Sequence, residues 1–173
     1  MGNRVKAAGF LKTLLLRRVG STIYAGRLTA EKMLRDWQCV VVEDDEEDDA
    51  PISPEMKSLT PEEQLVLQRF VASLKVNERD PKYDVVMDCL LNRGWLEMGC
   101  IVFSQYYDSV FWLAENISQE LPEEKIAIYA GSQCSGIMHD NVFTSASRDD
   151  LKKMVARGEI RLLLGTDAGS ICH

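Results

Sequence analysis

The stretch GEIRLLLGTD, Gly158 to Asp167, decides the fold. Ile160, Leu162, Leu163 and Leu164 form a short apolar run, released from a preceding helical pattern by Gly158 and stopped at Gly165, Thr166 and Asp167. A run that is apolar at consecutive positions fits a strand buried on both faces, as in a parallel sheet covered by helices. In an open α/β sheet the ligand crevice lies beyond the carboxyl ends of such strands. Thr166 and Asp167 are therefore the first candidates for function, set against the plainer reading of a polar loop closing a core strand.

Working outward, the residues upstream repeat the theme. Ile101, Val102 and Phe103 make a short apolar strand ending in Ser104 and Gln105, and Asp108 or Ser109 opens a helix through Gln119 bearing Phe111, Trp112, Ala114 and Ile117. After Pro122, a second strand, Ile126 to Tyr129, stops at Gly131, and a long polar loop is expected from Gln133 to Ala146. Ser147 caps a helix containing Leu151, Met154 and Val155, which Gly158 ends. Three strands joined by two helices predict an α/β fold with a parallel sheet. The strand ends Ser104 with Gln105, Gly131 with Ser132, and Thr166 with Asp167 then fall on one edge. Small hydroxyls, amides and bare backbone N–H groups there suit phosphate or sugar oxygens, because they approach closely without a buried charge.

The amino-terminal part differs in charge. Among residues 1–35 eight lysines and arginines face a single acid, Glu31, while Glu43 to Asp49 is an unbroken acidic run of seven. The run alone carries the net charge of −7, since the remaining 20 acids balance 20 bases. The basic arm reads as two helices, one with Val5, Ala8, Leu11, Leu15 and Val19 on its apolar side, broken at Gly20, the next capped by Ser21 or Thr22 and bearing Ile23, Leu28, Met33, Leu34 and Trp37. Such a segment fits nucleic acid, an anionic surface, or a solvated helix face equally. Seven adjacent like charges, followed by Pro51 and Pro54, predict a linker. Thr60, Pro61 and Glu63 spell a capping box for a helix to about Leu74, and Asp80 with Pro81 starts another that runs to Arg93. The expected organisation is a basic helical segment at 1–42, an acidic linker at 43–58 and an α/β lobe at 59–173.

No stretch reaches the roughly 18 apolar residues of a membrane span, and no signal peptide is apparent, which predicts a cytoplasmic protein without a membrane partner. The five cysteines, Cys39, Cys89, Cys100, Cys134 and Cys172, contain no paired spacing, so reduced thiols and no metal are expected. His139 and His173 lack ligand spacing as well.

IVFSQYYDS, IYAGS and RLLLGTDAGS, in this order and spacing, resemble the second RecA-like lobe of superfamily-two helicases, and the serine–glutamine after the first strand is similar to Swi/Snf-type DNA translocases. LKTLLLRRVGST resembles the helix that leads into that lobe. The likeness covers most of the chain, with the acidic run and the segment from Gln133 to Ala146 as insertions. It implies a partial RecA-like parallel sheet in which Ser104, Gln105, Gly131, Ser132 and Thr166 face a nucleic acid backbone, most naturally DNA. It also implies that Asp167 begins the loop toward an ATP cleft and that Arg148 matches the arginine opening the helix before the last strand.

The departures bear equally on function. No GxxxxGK[ST] phosphate loop and no acidic metal-binding strand motif occurs, so the resemblance implies ATP and Mg²⁺ only for a protein that also has the first lobe; this chain alone has no cofactor and no catalytic residue. After GTDA the family's run of serine, glutamate, glycine and leucine is replaced by Gly169, Ser170, Ile171, Cys172 and His173, which reads as a shortened lobe. The strand at Leu162 to Leu164 would then have an open apolar edge and promote self-association. A stand-alone nucleic-acid-binding or regulatory protein is the alternative. A small α/β enzyme acting on a phosphorylated metabolite is a third reading, weakened by the lack of a nucleophile with a paired base.

Overall fold

Helix caps written into the sequence organise the molecule, which a computed structural model describes over residues 2–35, 59–76, 79–131 and 134–166. The chain packs as two units, Met1–Arg79 and Asp80–His173. In the first, α1 (Gly2–Ser21) and α2 (Ile23–Arg35) meet at Thr22, whose hydroxyl accepts from the Ala25 N–H at 3.0 Å and so caps α2. Gly26 lies against Val19, bringing the two helices close. The capping box forms: the Thr60 N–H donates to Glu63 Oε2 at 2.8 Å, the Glu63 N–H to Thr60 Oγ1 at 3.2 Å, and α3 (Pro61–Val76) follows. Leu14, Ala30, Met33, Leu67 and Val71 form the core of this unit. Among the described side chains of α1 Leu14 is fully buried, while the expected Leu11 and Leu15 pack partly buried against the same core; Leu14, Leu15 and Leu16 are equally apolar, so periodicity could not rank them. The acidic run Glu43–Asp49, Trp37 and Cys39 lie outside the described residues.

In the second unit Asp80 accepts from the Lys82 N–H at 3.0 Å and caps α4 (Pro81–Met87), which continues as a π-helical turn, Asp88–Asn92. Then come α5 (Trp95–Met98), β1 (Cys100–Ser104), α6 (Tyr107–Glu120), β2 (Ile126–Tyr129), β3 (Gly136–His139), β4 (Val142–Ser145), α7 (Arg148–Ala156) and β5 (Leu162–Thr166). The fold is α/β: one mixed sheet of order β1-β5-β2-β3-β4, with β1 and β2 both parallel to β5, which lies between them. Gly158, at φ +73°, ends the turn after α7 and lets the chain turn back into β5.

Because successive strand residues point to opposite faces, Leu162 and Leu164 join Ile126, Ile128 and the α6 residues Ala114 and Ile117 in the main core. Leu163 goes to the other face, with Ala127, Ile160 and Leu151 of α7. That face is incompletely covered. Ile101 and Phe103 of β1 remain 57% and 68% exposed, although the Phe103 ring lies over Gly165, where a β-carbon would come within 2.9 Å of it.

Three sequence expectations are corrected. The segment from Gln133 to Ala146 is no plain loop: β3 and β4 pair antiparallel and widen the parallel core into a five-stranded mixed sheet. Asp140 and Asn141, at φ 48° and 58°, supply the tight left-handed turn that made the segment look merely polar, and Met138 plugs into the core. Second, β5 has no open edge, since β1 and β2 flank it; the edge strands are β1, beside β5, and β4 at the far end. Third, Cys89 and Cys100 are free thiols, but buried Cys134 is disulfide-bonded. Among the described residues no helix is long and apolar enough to cross a membrane.

Candidate functional site

The two parallel pairings bring the strand ends together. Ser104 and Thr166 are register partners on adjacent strands, while Tyr129, the last residue of β2, is level with Gly165. Ala130 and Gly131 follow directly, so Ser104, Thr166 and Gly131 share the carboxyl edge of the sheet. Gln105 is exposed one residue beyond Ser104. Ser132 and Asp167 lie outside the described residues.

Each strand end is held differently. The Ser104 hydroxyl accepts from the Tyr106 N–H at 3.4 Å, across the turn into α6. Thr166 is only 6% exposed, and its hydroxyl is buried with no hydrogen-bond partner among the described residues. A buried, unpaired hydroxyl costs about 1–3 kcal/mol, so this position is destabilising as it stands. By strand alternation it lies on the face of Leu162 and Leu164, which α6 covers.

The end of β2 is fixed by two side chains. Ser135, fully buried, accepts from the Ala130 N–H at 3.0 Å and donates to the Ala130 carbonyl at 3.0 Å. The Arg148 Nε donates to that same carbonyl at 2.7 Å, and its Nη2 also reaches it. The guanidinium rests 5.1 Å from the Tyr129 ring centroid, with the Lys152 ammonium at 5.9 Å. Arg148, the first residue of α7, thus ties that helix to the end of β2. Ser147 caps the helix: its hydroxyl accepts from the Asp150 N–H at 3.1 Å and donates to Asp150 Oδ2 at 2.7 Å. These bonds, from Ser147 and then Lys153, hold the Asp150 carboxyl below its ordinary range.

Ser135 was missed in the sequence. Its only signal is a small hydroxyl residue inside GSQCSG, which reads as loop unless the hairpin is foreseen. At the start of α6 burial, followed by the charges of Asp108 and Glu115, pushes the Tyr107 phenol up, so it stays a neutral donor. The Cys100 thiol is likewise raised by burial, then by Cys89, and is a poor nucleophile at neutral pH. Among the described residues no group of three or more His, Cys, Asp or Glu could hold a metal ion. What the edge offers chemically is a set of hydroxyl, amide and backbone groups able to donate to oxygens. No family model, curated protein or solved structure matches the chain.

Proposed function

We propose that the second unit is the second RecA-like lobe of a Swi/Snf-type superfamily-two helicase or translocase, gripping a nucleic acid backbone and holding one side of an ATP cleft, without catalysis of its own. The observation that carries the reading is the pairing of Ser104 with Thr166 at the carboxyl edge of the parallel core, with the Thr166 hydroxyl buried and unpaired. A destabilising hydroxyl is tolerated where a ligand or a partner element uses it. Gly131, tied in place through Ala130 by Ser135 and Arg148, completes the edge. Arg148 on this reading is a positioning residue. ATP and Mg²⁺ do not fit the described residues alone, which provide neither a phosphate loop nor an acidic cluster; a first lobe, joined or separate, would supply both.

The test uses oligonucleotide binding by fluorescence anisotropy together with thermal melting. Thr166→Val deletes the unpaired hydroxyl at constant shape, so it should raise stability by about 1 kcal/mol and weaken DNA binding, most clearly when combined with Gln105→Ala. Unchanged affinity in that double variant would remove the helicase-lobe reading. Nucleotide hydrolysis by the chain should equal a mock preparation with or without DNA, and turnover abolished by changing Asp167 would contradict the proposal.

A further inference from the structure

The first unit carries a charged surface that the strand ends do not use. On α1 the exposed residues Gly9, Thr13, Leu16 and Gly20 recur at three- and four-residue steps and so form one side of the cylinder. Exposed Lys12 and Arg17 border that side on its two flanks, while Leu14 faces the opposite way into the core. Among the described residues the cations are uncompensated. Glu31, the sole acid among residues 1–35, is engaged by Lys75 of α3 at 3.1 Å, and Lys12 and Arg17 make no ion pair among the described residues. Nothing within 4 Å would meet a β-carbon at Gly9 or Gly20, so the strip between the cations is open as well as flat. On α2 the Arg27 guanidinium lies 5.5 Å from the Tyr24 ring centroid, adding an aromatic next to a cation.

From this arrangement we propose that the solvent side of α1, flanked by Lys12 and Arg17, is a contact surface for the phosphate backbone of a nucleic acid. An anionic bilayer fits less well. A surface-seeking helix buries a broad apolar face in lipid, whereas Leu11, Leu14 and Leu15 of α1 are already packed in their own unit, and among the described side chains Leu16 is the one large apolar residue exposed on this helix. Phosphates need only the two charges and close approach, which Gly9 and Gly20 at the two ends of the strip permit. The partner class is that of the strand-end reading, on which the choice of nucleic acid over other polyanions rests, but the surface is separate.

The experiment is a salt titration of labelled duplex and single-stranded oligonucleotides with the full chain, comparing wild type, Lys12→Ala/Arg17→Ala, and Gln105→Ala/Thr166→Ala. Loss of two phosphate contacts should lower the slope of log affinity against log salt by about 1.8 for duplex DNA and weaken binding at least ~10-fold at 0.1 M salt. Lys12→Arg/Arg17→Lys should retain wild-type binding, and circular dichroism should be the same for all variants, since both side chains are exposed. If only the α1 variant loses affinity, the inference stands and the strand-end reading falls. If only the strand-end variant does, the reverse holds. Wild-type affinity and slope in the α1 variant overturn the inference, as does an absence of oligonucleotide binding by the wild-type chain. Binding to phosphatidylserine vesicles that the α1 variant loses, with oligonucleotide binding intact, overturns it in favour of a membrane.

Discussion

The two faces of the sheet are built from the same strands and end in opposite states. On the α6 side Leu162, Leu164, Ile126 and Ile128 are fully buried. On the α7 side cover is good over β2 and β5, where Ala127 and Leu163 pack with Leu151, but β1 leaves Ile101 and Phe103 largely in solvent. Composition does not separate them, since β1 is as apolar as β5. Position does: among the described elements one helix lies over the α7 face, close to β2, so the strand two places away keeps its outer side bare. An exposed apolar side chain here reports missing cover, not a polar role.

Three measurements can break or sharpen that contrast. The largest effect belongs to the sealed face, where Leu164→Ala should cost about 2–5 kcal/mol by removing buried methyl groups and leaving a cavity. Phe103→Ser on the open face should cost about 1 kcal/mol or less, chiefly the lost cover of Gly165. Equal losses in denaturant melts would mean that Phe103 is covered in solution. The middle effect is association. The Cys100 N–H donates toward β5 at 2.8 Å, to the Arg161 carbonyl, so by alternation the backbone groups of Ile101 and Phe103 point to the free edge. With no charge or proline in β1 to blunt it, self-association that rises with concentration is expected, and Phe103→Lys should abolish it in light scattering. A wild-type chain that stays monomeric at all concentrations would show the edge to be protected.

The smallest effect lies at the start of α7, the helix that covers the α7 side. Its cap holds the Asp150 carboxyl below the ordinary value through Ser147 and Lys153. A depressed carboxylate contributes stability that is present above its unfolded value and is lost as pH falls through the lowered one. Acid titration should therefore weaken this cap as pH falls through the lowered value, and Asp150→Asn should remove that component of the pH profile. A profile identical in the variant would assign no part of it to the cap.

Three helix starts were legible because each is a local hydrogen bond: Thr60 with Glu63, Asp80 with Lys82, and Ser147 with Asp150 all form as the residues imply, whereas α6, expected to open at Asp108 or Ser109, starts at Tyr107 without a side-chain cap. The three parallel strands were legible because each is a run of consecutive apolar residues, although in β1 the face of Ile101 and Phe103 is exposed and burial on both faces is not what the run reports. The β3–β4 hairpin was not, since Gly136–His139 and Val142–Ser145 are short and half polar, and only pairing with β2 tells them from loop. Strand order was also hidden, for nothing local in Leu162 to Leu164 says that β1 and β2 will take both its edges. At the site, Ser104, Gly131 and Thr166 could be placed at one edge from the strand ends alone. Ser135 could not, because its role depends on a turn five residues long folding back on Ala130. Arg148 was found by its place at the helix start, but its grip on the Ala130 carbonyl is a tertiary contact.

The place of β5 between β1 and β2 also sets an order of assembly. Ser104 pairs with Thr166, sixty-two positions later in the chain, and β1 touches no other strand. During synthesis β2, β3 and β4 can therefore zip together early as a local antiparallel sheet, whereas β1 must wait with both edges open until Leu162 to Thr166 has left the ribosome. The window between those events exposes CIVFS as an unpaired apolar strand, and its length is set by the speed of translation through α6, the hairpin and α7. Slow codons between Tyr107 and Gly158 would lengthen it and favour aggregation, even though the finished protein is the same.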